Sequence, residues 1–198
     1  MKLHNDNLIF SPSDLILFLE NPFASWMEHF SLISPEALDL KDQDDAMMLM
    51  LQDKGAEHES SVLEGLKQQG LTIANIGLSS DKKAATIQAM KEGADVVFQA
   101  CLSKGKFTGF ADFLVKVAGS SQLGDYHYEI WDTKLSKSLQ PYYTIQLCCY
   151  QEMIAAIQGR YSNDFVIILG DQTQQRLRTQ ECYYYYQSVK NAFLQLHE

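Results

Sequence analysis

The sequence has no apolar run that reaches about 18 residues, so no segment is long enough to cross a bilayer as a helix. It also lacks a basic-then-apolar leader, and secretion is not expected. No pair among Cys101, Cys148, Cys149 and Cys182 has the spacing of a zinc knuckle, and adjacent Cys148 and Cys149 do not easily share one tetrahedral site. They read as reduced thiols in a cytoplasmic protein. A basic excess is missing as well. The 16 Lys and Arg are outnumbered by 25 Asp and Glu, giving a formal net charge of -9. That excludes a sequence-independent nucleic-acid coat protein, which would be basic. It does not exclude an enzyme acting on nucleic acid, because carboxylates gathered around a metal also make a chain acidic. There is no internal repeat and no low-complexity tract.

What is present, a chain of 198 residues that is 46% hydrophobic and 21% charged, suits one domain with a sizeable core. Ser11, Pro12 and Asp14 mark a helix start, and Pro22 splits the segment into two short helices. A polar connection follows, then a helical pattern from about Asp44 to Gln69 that Gly70 stops. Leu71–Ile76 is a short strand and Asp81–Lys91 a helix closed by Gly93. The texture then changes. "ADVVFQACL", "KFTGFADFLVKVA" and "YHYEIWDTKLS" are rich in β-branched and aromatic residues, and predict a three-stranded antiparallel meander. "PYYTIQLCCYQEMIAAIQG" is a helix, "DFVIILG" a strand of the fully buried type, and the tail "ECYYYYQSVKNAFLQLHE" a last helix. The expected division is a helical segment over 1–43, a core over 44–170 and a C-terminal helical segment over 171–198.

Within "YEIWDTKLSK", strand alternation puts Asp132 and Lys134 on one face, roughly 7 Å apart along the strand. Two charges where a strand emerges into solvent would be an ordinary, weakly stabilising ion pair. The preceding strand argues for more. Asp112 lies among Phe110, Phe113 and Leu114, a costly place for a lone carboxylate, and in a meander it can face Asp132. Converging carboxylates raise one another's pKa, and a hard divalent cation such as Mg²⁺ or Mn²⁺ removes the conflict. Lys134 would then stand where it can orient or deprotonate a nucleophilic water.

Two helices add polar groups. Leu51, Gly55, His58, Val62 and Leu66 recur on one helical face, so His58 looks inward, either as a satisfied core histidine or as a ligand. Gly55 would let another backbone approach. Glu59 is a possible further carboxylate, but its helical phase points it elsewhere. Gln146 and Tyr150 share a face at i and i+4, either packing on the sheet or serving Lys134. The histidines His4, His29, His127 and His197 have no comparable support.

Taken together, "GAEHE", "GFADFL", "WDTK" and "QLCCY" resemble the motifs of the PD-(D/E)XK nuclease superfamily, in the branch that includes the RecB nuclease domain. The resemblance covers about two thirds of the chain, and "SPSDLILFLENP" is similar to the first helix of RecB-like nucleases. It implies a restriction-endonuclease-like α/β fold, with a central mixed sheet flanked by helices, and metal-dependent hydrolysis of DNA. By that resemblance Asp112, Asp132, the Thr133 carbonyl and His58 would bind Mg²⁺ or Mn²⁺. Lys134 would position water, and Gln146 and Tyr150 would hold the site or contact the DNA backbone. Some relatives clasp the domain ends with a four-cysteine iron–sulfur cluster. Here that early position reads "LENPF", with Cys182 the sole late cysteine, so no cluster is expected. Some RecB-like nucleases are joined to a helicase, so the resemblance implies a helicase partner in the same or another chain; the helical pattern of "NAFLQLHE" would suit one domain of a longer protein. The alternatives are a silent nuclease-fold platform for DNA or helicase binding, and an enzyme acting on a small phosphoester.

Overall fold

The computed structural model describes residues 1–5, 7–38 and 46–198. Strands β1 (Lys2–His4) and β2 (Asn7–Ile9) form a small hairpin ahead of helices α1 (Pro12–Glu20), α2 (Pro22–Ile33) and α3 (Pro35–Leu38). The hairpin was not expected in a helical segment; three-residue strands carry too little alternation to register. Ser11 and Asp14 form a reciprocal capping box at α1. Asn21 ends α1 in an extended conformation, and its carboxamide oxygen accepts from the Phe23 and Ala24 N–H groups to start α2. The break at Pro22 therefore falls where the sequence puts it.

Helix α4 (Ala46–Gln68) follows; its expected start at Asp44, like the 43/44 boundary, lies outside the described residues. Next come β3 (Ile73–Asn75), a single 3₁₀ turn, α5 (Lys82–Glu92), β4 (Val96–Lys104), β5 (Phe107–Ser121), β6 (Gly124–Thr133), α6 (Tyr143–Gln158), β7 (Asp164–Ile168), β8 (Gln174–Arg178) and α7 (Thr179–Leu196). Six strands form one mixed sheet in the order β3-β4-β5-β6-β7-β8. The central meander β4-β5-β6 is antiparallel, while β3 joins β4 and β7 joins β6 in parallel. Strand β8 was not foreseen. "QQRLR" has one apolar residue, and the 171–198 segment is therefore not wholly helical.

The sheet has two unequal covers. On one face α6, α7 and α1 contribute Ile145, Cys149, Met153, Phe193 and Leu15 to a core with Val97, Ala100, Leu114, Tyr128, Ile130 and Ile167. On the other, Val62 and Leu66 of α4 pack on Val96, Phe113, Val115, Val166 and Ile168. Only the second half of α4 is used: His58, Val62 and Leu66 are buried, and Leu51 is exposed. Nothing described lies within 4 Å of where a Cβ at Gly55 would stand, so the expected close backbone approach there does not occur.

Candidate active site

Alternation fails at one level of the sheet, and the charged residues collect there. On β5, Ala111 and Leu114 both belong to the larger core, although three residues apart, while Phe113 and Val115 belong to the smaller. On β4, Val97 and Ala100 show the same break, with Phe98 on the other side. The β4–β5 register runs Phe98↔Phe113 and Ala100↔Ala111, so Gln99 and Asp112 stand opposite each other outside the ladder. Gln99 adopts φ 55°, a left-handed conformation costly for any residue with a Cβ. Strain of this kind persists only where the surrounding structure enforces it.

The β5–β6 ladder also ends here, at Phe113↔Trp131. Beyond it the Asp112 carboxylate takes over: one oxygen accepts from the Thr133 backbone N–H and from the Thr133 hydroxyl, each at 2.7 Å. Asp132 is 2% exposed. Its Oδ2 takes no well-aligned hydrogen bond among the described residues, but the Lys134 ammonium is 2.6 Å away. That ammonium also donates to Gln146 Oε1 at 3.0 Å and lies 5.3 Å from the centre of the Tyr143 ring. The expected shared face of Asp132 and Lys134 is present, and α6 supplies the polar partner.

Electrostatics follow from this crowding. Burial, then the Asp132 charge and then Glu59 push the Asp112 carboxyl up to about 7, against the two hydrogen bonds from Thr133. Burial and the Asp132 charge also raise Glu59, opposed by a hydrogen bond from the Gln99 carboxamide. Burial alone would lower Lys134. The close Asp132 charge, joined by Asp112, outweighs it and holds the ammonium above the ordinary lysine value.

Glu59 is a correction: it does not point elsewhere but lies within electrostatic reach of both aspartates. Its signal was the spacing to Leu63 and Leu66, both packed against the sheet, which sets Glu59 on the flank of the buried stripe. His58 sits differently from a free ligand. Its Nε2 is 3.2 Å from the Ile168 carbonyl oxygen, so that nitrogen carries the proton; Nδ1 then accepts from the Gln172 amide at 3.3 Å. Both ring nitrogens are engaged, and the Ile168 carbonyl also receives the Lys134 N–H. Tyr150 is buried and its hydroxyl donates to the Phe110 carbonyl at 2.6 Å; burial and the Asp132 charge keep it neutral. It braces β5 two residues before Asp112. Among the described residues no three His, Cys, Asp or Glu side chains stand close enough to enclose a cation as they are. Asp112 and Asp132 nevertheless suit one: a buried carboxylate oxygen without an aligned donor and a second carboxyl kept protonated by its neighbours are what a hard cation would satisfy.

Of the other lysines on the central strands, Lys116 is tied to Asp95 at 2.6 Å and to the Gly93 carbonyl. Lys104 and Lys106 flank the β4–β5 turn.

The fold and this cluster define an α/β protein with a six-stranded mixed sheet covered by helices, its acidic and basic side chains meeting where the central strands part. No protein-family model matches the chain, and no curated protein matches it in sequence at a significant level. No helix among the described residues is long and apolar enough to cross a membrane.

Proposed function

We propose that this chain is a divalent-metal-dependent nuclease of the PD-(D/E)XK type, RecB-like, hydrolysing phosphodiester bonds in DNA during repair or recombination. The observation that carries the proposal is the convergence of Asp112, Asp132 and Glu59 beside the partly buried ammonium of Lys134. Three carboxyl groups share one lysine, and two of them are held up against ionising; a cation would let them ionise, which a fold-only role does not call for.

Asp112 and Asp132 would hold Mg²⁺ or Mn²⁺, with Glu59 and the Thr133 carbonyl as further oxygens. His58 would join only after releasing Gln172. When bound, the cation supplies Lewis-acid polarisation of the phosphodiester and acidifies water. Lys134, held as a cation by Asp132, cannot serve as a base near neutral pH. Its role is to orient the attacking water and to balance charge as the phosphorus becomes five-coordinate. Gln146 fixes the lysine from α6, and Thr133 fixes Asp112.

The test is cleavage of end-labelled single- and double-stranded DNA with Mg²⁺ or Mn²⁺, wild type against Lys134→Ala. Metal-dependent cutting that the variant loses is the expected result. A wild-type protein that binds the metal by calorimetry and cuts neither substrate, with or without a helicase partner, would leave a silent platform instead.

A further inference from the structure

Two residues before Asp112, roughly 7 Å away along the same strand, Phe110 leaves 46% of its surface open to solvent. Its neighbour Ala111 and nearby Phe107 are in the main core, so the ring stands on the other side of β5. The Phe110 backbone is anchored from beneath by the Tyr150 hydroxyl, so the ring is carried on a braced strand. The Lys82 ammonium lies 5.2 Å from the ring centre. Cys101 is the register partner of Phe110 and lies within electrostatic reach of two more lysines. Its thiol is raised by burial but pulled down by Lys83, Lys82 and Lys2, with Asp81 opposing them. Asp81 is already occupied as the cap of α5, accepting from the Ala84 N–H. One lysine therefore stands over this exposed ring, and two more act on the residue paired with it, in a chain of net charge -9.

An aromatic face with an ammonium group at its rim and further lysines nearby matches an unpaired nucleobase and its flanking phosphates. A duplex offers phosphates but keeps its bases stacked on one another. We propose that Phe110, with Lys82, Lys83 and Lys2, is a base-stacking subsite that holds one unpaired nucleotide of the strand being cut, next to Asp112. The inference rests on the nuclease reading for the role of Asp112, but the subsite itself is a binding site with its own readout. The α5 N-terminus thereby acquires a purpose that neither the core nor the carboxylate cluster needs.

The experiment is fluorescence anisotropy in chelator, so that no strand is cut, with a labelled 20-nucleotide oligo-dT and a labelled 20-base-pair blunt duplex. Stacking on one ring is worth ten- to hundredfold in affinity. Phe110→Ala should weaken oligo-dT binding by at least tenfold and duplex binding by less than twofold. Phe110→Trp should restore single-strand binding, and Lys82→Ala should lower both the affinity and its salt dependence. Because Phe110 is at the surface, circular dichroism of each variant should match wild type. Equal oligo-dT affinity in wild type and folded Phe110→Ala overturns the subsite while leaving the nuclease proposal standing. Phe110-dependent binding by a protein that cuts nothing with Mg²⁺ or Mn²⁺ keeps the subsite and overturns the nuclease. A wild type that binds neither oligonucleotide overturns the subsite outright.

Discussion

Lys134 and Asp132 form a short ion pair, 2.6 Å between Nζ and Oδ2, with only 3% of the aspartate side chain and 19% of the lysine side chain exposed. A buried pair contributes little net stability, yet removing one partner leaves an uncompensated charge, at a cost of about 3 kcal/mol. Lys134→Ala should therefore do more than abolish cleavage. Thermal melts at pH 8 should place the variant below wild type by about that amount, and Lys134→Met, which keeps the stem and drops the charge, should lose as much. A Lys134→Met protein as stable as wild type would mean that the lysine stem, not the charge, is what the fold misses.

Asp112 makes the opposite mutation informative. Its folded carboxyl keeps a proton up to about 7, whereas its ordinary value is 3.8. A raised value means stability that is full below pH 3.8 and lost as pH climbs through 7. Asp112→Asn cannot ionise and still offers an oxygen to the Thr133 N–H and hydroxyl. In chelator at pH 8 it should melt above wild type, with a gain on the order of 1–3 kcal/mol that vanishes near pH 4. Adding Mn²⁺ should raise the wild-type midpoint and leave the variant's unmoved. A manganese response of wild-type size in the variant would remove Asp112 from the metal site.

The order of elements from α4 to β7, the break at Pro22, the antiparallel meander and the shared face of Asp132 and Lys134 were legible, because each follows from a local rule of period or cap. What escaped depends on distance. Glu59 was excluded by helical phase. Its spacing to Leu63 and Leu66 sets it on the flank of the buried stripe, but only the assembled sheet brings the two aspartates within its electrostatic reach. His58 was read correctly as inward, but the Gln172 and Ile168 partners that engage its ring come from more than 100 residues away. The paired breaks at Gln99 and Asp112 had no signal, since Gln is not a residue that announces a left-handed backbone. Strand β8 was too polar and too short to distinguish from loop.

Gln99 carries a prediction of its own. Its backbone is left-handed, and its carboxamide bonds Glu59. Gln99→Gly keeps the backbone, relieves about 1 kcal/mol of strain and loses only the amide. Gln99→Val opposes the backbone with a β-branched side chain, and should cost roughly 1–3 kcal/mol, with a larger loss of cleavage as Asp112 swings back into regular alternation. Urea midpoints and cleavage rates for the pair separate the two roles. Indistinguishable variants would show that the break at Asp112 does not depend on position 99.

The two ends of the described chain meet at a histidine pair. His197, buried just beyond α7, sits with Nε2 3.0 Å from the Ser25 hydroxyl and Nδ1 3.2 Å from His29 Nδ1, tying α7 to α2. One Nδ1 must donate and the other accept, so two protonated rings cannot share this contact. Burial and then the His29 charge lower His197 below its ordinary value of 6.5; Asp14 opposes them and the N-terminal ammonium adds to them. Folding therefore favours the neutral ring, and the unfolded chain binds more protons. The contribution is complete above pH 6.5, falls as acid protonates the unfolded imidazole, and is gone below the folded value. His197→Gln, which can still donate and accept, should be less stable than wild type at pH 8 but lose less between pH 7 and 5, in urea titrations at each pH. Parallel losses in the two proteins would assign the acid sensitivity elsewhere and leave the pair as packing alone.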